Sequence, residues 1–456
     1  MNKVKEKKKK DKSIVEMALV NPDAAGIDVG STIHAVAVPA DRDKEHVQVF
    51  GAFTCDLKLI AKWLHQCKIT TVAMESTGVY WKQLFAVLVQ EGFEVYLVNS
   101  KNTRNVSGRK NDEDDAVWIQ RLHSCGLLVS SFLPDDQTES LRSLVRHRKS
   151  MTSDSSRYIL RMQKAMEMMN IKVHTVISDI VGKTGTAIIE AIINGERSPE
   201  NFLQYIDGRI KADKQTILKS LEANWRQEHL FLLKQSYDMY KFMQQQIVLC
   251  EQQIETILQQ YIAIREEGVL EPVVSNSSLK EKKKKKTKNQ PIFDTPAYLK
   301  KIHQVDVLQI FGISETCALE ILAETGTDLS KWENESKFVS WLNLCPNNKI
   351  SGGKLISSHL LKKKPNLASQ AFRTAANSLQ RSDNWLGDYF RRKKAKGGNK
   401  YAIVATARKI ALIYYKMVRY KESFNPVDLE QYRNKQQSIK IAYLERKLAE
   451  LKAQAA

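Results

Sequence analysis

The chain has 456 residues, 43% of them hydrophobic, and 71 Lys and Arg against 51 Asp and Glu give it a formal net charge of +20. That length exceeds one compact core and suits two or three domains, and the positive excess favours a polyanionic partner over a basic one. Six scattered cysteines without a CxxC pair argue against a zinc ribbon or a disulfide framework and fit a reducing cytoplasm, and neither a membrane-length apolar run nor a signal peptide's apolar core is present.

Residues 1–20 carry a lysine run and read as a basic, disordered tail that could also touch phosphates. From Ala24 the pattern turns to β. Gly26 to Ala40 is apolar and β-branched, Asp41 to Lys44 supplies a turn, and His46 to Phe53 alternates, which predicts a hairpin. Leu57 to Cys67 has helical spacing, Ile69 to Met74 is a short buried strand, Val79 to Gln90 is an amphipathic helix capped by Gly92, and Phe93 to Val98 is a further strand. This alternation indicates an α/β domain with a mixed sheet, extending over residues 21–185. Helical spacing resumes from Asp112 to about Cys125 and from Asp135 to Asn170. Residues 186–266 read as a helical segment, and Trp225 to Tyr261 suits either a coiled coil or a long core helix. A lysine-rich linker spans 267–292, a second and mostly helical globular region spans 293–423, and a charged helix occupies 424–456. Within the second region, Gln304 to Ser314 predicts a helix, a tight turn and a new helix with Ser314 near its N-cap, a unit that can grip phosphates through backbone amides.

Four carboxylates stand out. Asp28 lies inside the first strand between Ile27 and Val29, where an unpaired charge is expensive to bury. Glu75 ends an apolar strand, and Asp112 and Asp115 are three apart on one helix, so they share a face. Phosphodiester chemistry needs divalent cations held by several carboxylates, and Mg²⁺ (or Mn²⁺) prefers such oxygen ligands. Against this stand a plain strand-end role for Glu75 and helix capping or solvated charge for the cluster Asp112 to Asp115. Gly26-Ile27-Asp28-Val29-Gly30-Ser31-Thr32 is also similar to the first phosphate loop of sugar-kinase and actin-like ATPases, but no Asp-Gly-Gly-type second loop follows residue 150.

These residues resemble a known family. Gly26-Ile27-Asp28, Glu75-Ser76-Thr77-Gly78-Val79-Tyr80, Val98-Asn99 and Lys110-Asn111-Asp112 with Asp115-Ala116 are similar to the RuvC-like "DEDD" domain of the one-ten insertion-sequence transposases, to which pilin-gene invertases are related. Gly312-Ile313, Ala318, Glu324-Thr325-Gly326 and Leu344-Cys345-Pro346 through Ser351-Gly352-Gly353 resemble the C-terminal part of that family. Departures include Asn111 where the family has Thr and Asn343 where it has Gly. The resemblance implies an RNase H/RuvC-like mixed sheet, a helical or coiled-coil insert, and a mostly helical transposase domain. It implies a recombinase that binds a structured guide RNA pairing with donor and target DNA. Asp28, Glu75, Asp112 and Asp115 then hold Mg²⁺, and Ser351 is the nucleophile that links covalently to DNA, the sites meeting across a homodimer or homotetramer. From the residues alone, Ser351-Gly352-Gly353 reads first as a flexible turn, and the nucleophilic role rests on the resemblance.

Basic residues with expected phosphate roles are Arg104, Arg109 and Lys110 beside the acidic helix, then Arg142, Arg146 and Arg148 at roughly helical spacing. Lys349, Lys354, Lys362, Lys363, Lys364 and Arg373 surround and follow the serine, and Arg391 to Lys394 form a further cluster. A metal-dependent nuclease or junction resolvase that uses water, and a non-catalytic nucleic-acid-binding protein, are the competing readings.

Overall fold

The structure, a computed structural model, describes residues 18–99, 112–266, 289–361 and 366–455. The lysine-rich tail up to residue 17, all but the last residues of the lysine-rich linker, and Arg104, Arg109, Lys110 and Lys362 to Lys364 lie outside the described residues. Two compact units are formed, Met1–Leu133 and Pro134–Ala456.

The first unit is built on a five-stranded sheet, β1 (Ala24–Val29), β2 (Ile33–Ala37), β3 (Val47–Gly51), β4 (Thr71–Glu75) and β5 (Glu94–Val98), ordered β3-β2-β1-β4-β5. β1 pairs antiparallel with β2, and β2 with β3. β4 runs parallel to both β1 and β5. The stretch expected as one strand from Gly26 to Ala40 is two strands. Gly30 turns the chain between them, its N–H donating to the Ile33 carbonyl at 3.0 Å. Helix α1 (Thr54–Gln66) and helix α2 (Trp81–Gln90) cover one face. Ala25, Ile27, Val29, Val72, Met74 and Leu97 bury there against Leu57, Ile60, Leu64, Leu84 and Leu88. Helix α3 (Asp112–Ser124) covers the other face, where Ile119 packs with Ala73 and Val98, and Ala116 with Ala35 and Ala37. A strand enclosed on both sides reads as a continuous apolar run, which is why β1 and β4 show little alternation.

The second unit opens with α4 (Asp136–Met168), whose N-cap Asp135 accepts from the Thr138 N–H at 2.8 Å. Three shorter helices, α5 (Lys183–Ile193), α6 (Pro199–Phe202) and α7 (Lys214–Leu221), lead to the 40-residue α8 (Gln227–Glu266). α4 and α8 lie side by side and antiparallel, because contacts pair rising with falling numbers. Thr138 Oγ1 meets Tyr261 OH at 2.6 Å, Arg148 Nε donates to Glu251 at 2.7 Å, and Gln244 Nε2 donates to Ser155 Oγ at 2.7 Å. The long segment expected as a coiled coil or a core helix is thus one member of an intramolecular helical hairpin. At its far end Met162, Met166, Leu233 and Tyr237 close a separate core with α5 and α7.

The rest of the unit comprises α9 (Thr295–His303), α10 (Glu315–Thr325), α11 (Glu335–Trp341), a hairpin of β6 (Asn347–Ser351) and β7 (Lys354–His359), α12 (Leu367–Ser378), α13 (Trp385–Tyr420) and α14 (Leu429–Ala455). α13 is interrupted at Gly397 and Gly398, whose backbone angles are not helical. Leu319, Leu322, Phe338, Phe372, Tyr414 and Tyr415 are fully buried between these helices. No helix among the described residues is long and apolar enough to cross a membrane.

Candidate active site

Asp28 and Glu75 come together through strand register. In the parallel β1–β4 pair Ile27 is opposite Met74, so the next residues along, Asp28 and Glu75, are neighbours at the C-terminal ends of adjacent strands. Pleating sends alternate residues to opposite faces. Since Ile27 and Met74 bury against α1 and α2, Asp28 and Glu75 take the face covered by α3. Both are half-buried.

Gly26 fixes how α3 crosses that face. A Cβ on Gly26 would stand 2.5 Å from the Ala116 carbonyl oxygen and 2.2 Å from the Gln120 nitrogen, so only glycine lets the helix backbone rest on β1. The helix is pinned further along by Gln120 Nε2, which donates to the Ala24 carbonyl at 3.3 Å, and by a 2.9 Å contact between His123 Nε2 and Thr71 Oγ1. Burial pushes the His123 imidazole below its ordinary range and keeps it neutral. With residue 116 over Gly26, and residues 120 and 123 over the beginnings of β1 and β4, the helix runs opposite to β1. Its N-terminus therefore stands at the end of the sheet that holds Asp28 and Glu75. Asp115, half-buried, is one turn before Ile119 on the sheet-facing side. Asp112 is the first residue of α3, and the described side chains begin at Glu113. Strand register and helix packing thus gather three acidic positions at one end of the domain and start the helix with the fourth. All four side chains are carboxylates, whose oxygens would suit Mg²⁺ or Mn²⁺ and not a soft metal. Among the described residues, no group of three or more His, Cys, Asp or Glu side chains could hold a metal ion.

In the second unit Ser351 ends β6. The turn that follows has Gly352 at φ 54° and Gly353 at φ 74°, both in the left-handed region, as the tightest hairpin turns require. Sequence reasoning found the turn but not the hairpin. Ser351, Lys349 and Lys354 are exposed, as are the apolar Ile350, Leu355 and Ile356.

A family model described as a transposase, of the DEDD type named for IS110, matches residues 25–171. A second, described as the transposase IS116/IS110/IS902 family, matches residues 306–391. The chain belongs to this transposase family. No match was found among curated proteins. The protein is accordingly a DNA transposase, an enzyme whose substrate is DNA. Asp28, Glu75, Asp112 and Asp115 fall within the first match, and Ser351 within the second.

Several basic residues of the transposase have structural work. Arg142 and Arg148 are buried. Arg142 donates to the Glu324 carbonyl at 2.8 Å, and Arg148 pairs with Glu251 at 2.6 Å and with the Asn289 carbonyl at 2.8 Å. Arg146 forks onto the Glu324 carboxylate at 2.7 and 3.0 Å. The face expected to meet phosphate instead joins α4 to α10, with Lys149 on Glu320 as its next rung. Arg148 points away from that face, toward α8. Arg373 is half-buried and donates to the Asn343 carbonyl at 3.2 Å. Asn343 itself has φ 53°, a conformation asparagine tolerates best after glycine, so the departure from the family's glycine preserves the backbone. Gly312 is similarly explained by packing. Its φ is 89°, and a Cβ there would stand 2.5 Å from the Ala375 carbonyl oxygen. Glu315 in the first turn of α10 makes that helix start a poor anion site.

Proposed function

We propose that this transposase cuts and rejoins DNA through a covalent serine intermediate, with a divalent metal held at the end of the first unit's sheet, guided by a structured RNA. The observation that carries the reading is the neighbouring register of Asp28 and Glu75 beneath a helix that starts with Asp112. Asp28, Glu75, Asp112 and Asp115 are the proposed ligands of Mg²⁺ or Mn²⁺, which when bound supplies charge neutralisation to the phosphate under attack. Ser351 Oγ attacks phosphorus. An Oγ–P bond forms, one P–O bond of the DNA breaks, and the departing oxygen leaves as a hydroxyl after taking a proton. The Ser351 proton passes to a base or to solvent. A hydroxyl of a second DNA end later attacks the phosphoserine, which restores Ser351 and joins the strands. Lys349 and Lys354, exposed beside Ser351, would screen phosphate charge. The guide RNA, the homodimer or homotetramer, and the phosphate roles of Arg104, Arg109, Lys110, Lys362, Lys363 and Lys364 rest on the family resemblance and the excess of positive charge.

The test is cleavage of donor and target DNA with RNA transcribed from the gene's flanks, read on a denaturing gel for protein-linked DNA. Ser351→Ala should abolish the adduct, and Asp28→Asn should slow cleavage about a hundredfold or more, since metal stabilisation of the transition state contributes several kcal/mol. Adduct at wild-type level in Ser351→Ala would remove the serine step. Cleavage without any adduct in the wild type would point to hydrolysis by water.

A further inference from the structure

We propose that α14 is one strand of a parallel, two-stranded coiled coil formed with a second copy of this chain. The inference rests on the helix itself and not on the reaction proposed above. The base of the helix is clamped to α13. The Tyr432 ring lies 5.7 Å from Trp385, the Arg392 guanidinium sits 5.0 Å over Tyr432 and donates to Gln436 Oε1 at 2.6 Å, and Arg433 Nε is 3.5 Å from Asp388. Past that clamp the helix continues alone, with every residue from Gln437 to Gln454 exposed.

The exposed part carries an apolar seam. Ile441, Leu444, Leu448 and Leu451 are 49%, 52%, 54% and 54% exposed, and their spacing of three, four and three residues is that of alternating a and d positions. The same register places Asn434 and Ala455 at a, and Gln437 at d. A helix in a protein draws most of its stability from packing its apolar face, so the seam calls for a partner of matching repeat. The repeat selects a second copy. Ile441 at a with Leu444 and Leu451 at d is the pattern of parallel dimers, and Asn434 at a single a position would pair with its own equivalent and set the register. In that register Lys440 at g faces Glu445 at e of the second copy, while Lys447 faces Lys452. An antiparallel pairing that matched Ile441 with Leu451 would set Glu445 near Glu445 and Lys447 near Lys447, with no attraction to offset them.

The experiment uses the full chain. Ile441→Cys, with Arg446→Cys on the outer face as control, is exposed to a mild thiol–disulfide buffer and run on a non-reducing gel. Ile441→Cys should give a disulfide-linked dimer several-fold above both the wild type and Arg446→Cys. Adding Leu448→Asp should abolish it. Leu448 is exposed, so that change should leave the melting temperature of the rest of the chain unmoved. Dimer no more abundant in Ile441→Cys than in the control would overturn the proposal. So would cross-linking only when Ile441→Cys is mixed with Leu451→Cys, which marks an antiparallel pair, or loss of the cross-link on adding duplex DNA, which marks a nucleic-acid surface.

Discussion

Asp28 shows how far one residue can be read without coordinates. A carboxylate between two apolar residues in a strand demands a partner or a task, whereas the register that sets Glu75 beside it is visible only in the pairing of β1 with β4. The arginines of α4 were not legible in this way. Spacing put Arg142, Arg146 and Arg148 on one face, but their partners, Glu324 and Glu251, are more than 100 residues away in sequence, and only the tertiary fold identifies them. The histidines were equally silent. His34 and His123 are both buried in the first unit, and burial holds both imidazoles below the ordinary value of 6.5. The folded unit keeps them neutral, whereas the unfolded chain takes up protons as pH drops through 6.5. Stability from these groups is therefore fully present above that pH and declines below it. Calorimetry between pH 8 and pH 5 should show the melting temperature of the first unit falling on the acid side, and a His34→Leu/His123→Leu variant should flatten that fall.

Among the elements, α3 depends most on a single position opposite it. A Gly26→Ala variant puts a methyl group against helix backbone that cannot rotate away, so α3 must lift. Such overpacking costs roughly 1–3 kcal/mol. Denaturant unfolding should show that loss, and DNA cleavage should fall by more than the folded fraction does, because the acidic turn of α3 shifts from β1 and β4. The α4–α8 pair rests on a different kind of contact. Arg148 and Glu251 have side chains only 6% and 3% exposed, so Arg148→Ala leaves a buried carboxylate without its counter-charge and should cost about 3–5 kcal/mol, whereas Arg148→Met with Glu251→Leu should recover only part of that loss, because the Asn289 carbonyl and the Ile292 N–H lose their partners. α4 and α8 were legible from their periodicity to within about five residues, whereas α13 was not delimited within its mostly helical region. The β6–β7 hairpin was not, because all its residues but Ser357 are exposed and strand patterns are visible only where one face is buried. Its one strong cue was the glycine pair, which an open loop would also explain.

For the molecule as a whole, charge and order of parts were the readable features. The net charge of +20 fits a DNA substrate, although the buried ion pairs of the second unit show that some of its arginines face inward. The charge that does face outward should make binding to duplex DNA salt-dependent. With six or more phosphate contacts, affinity should fall about a thousandfold or more between 50 and 200 mM salt in filter-binding measurements, and a flat response would remove the outward charge from the account. The point at which the chain divides into units was less readable than its composition. The helical pattern stops near Cys125 and resumes at Asp135, and only packing assigns α3 to the first unit and α4 to the second.

The antiparallel run of α4 and α8 gives this architecture an adjustable reach. Thr138 and Tyr261 tie the foot of the pair, while Met162 and Leu233 belong to the cluster at its tip. Deleting seven residues from each helix at facing levels would bring that tip about 10.5 Å nearer the foot and keep nearly the same sides in contact. Relatives with shorter or longer arms could thus hold the same foot while spanning different distances, as a boom is trimmed in matched sections.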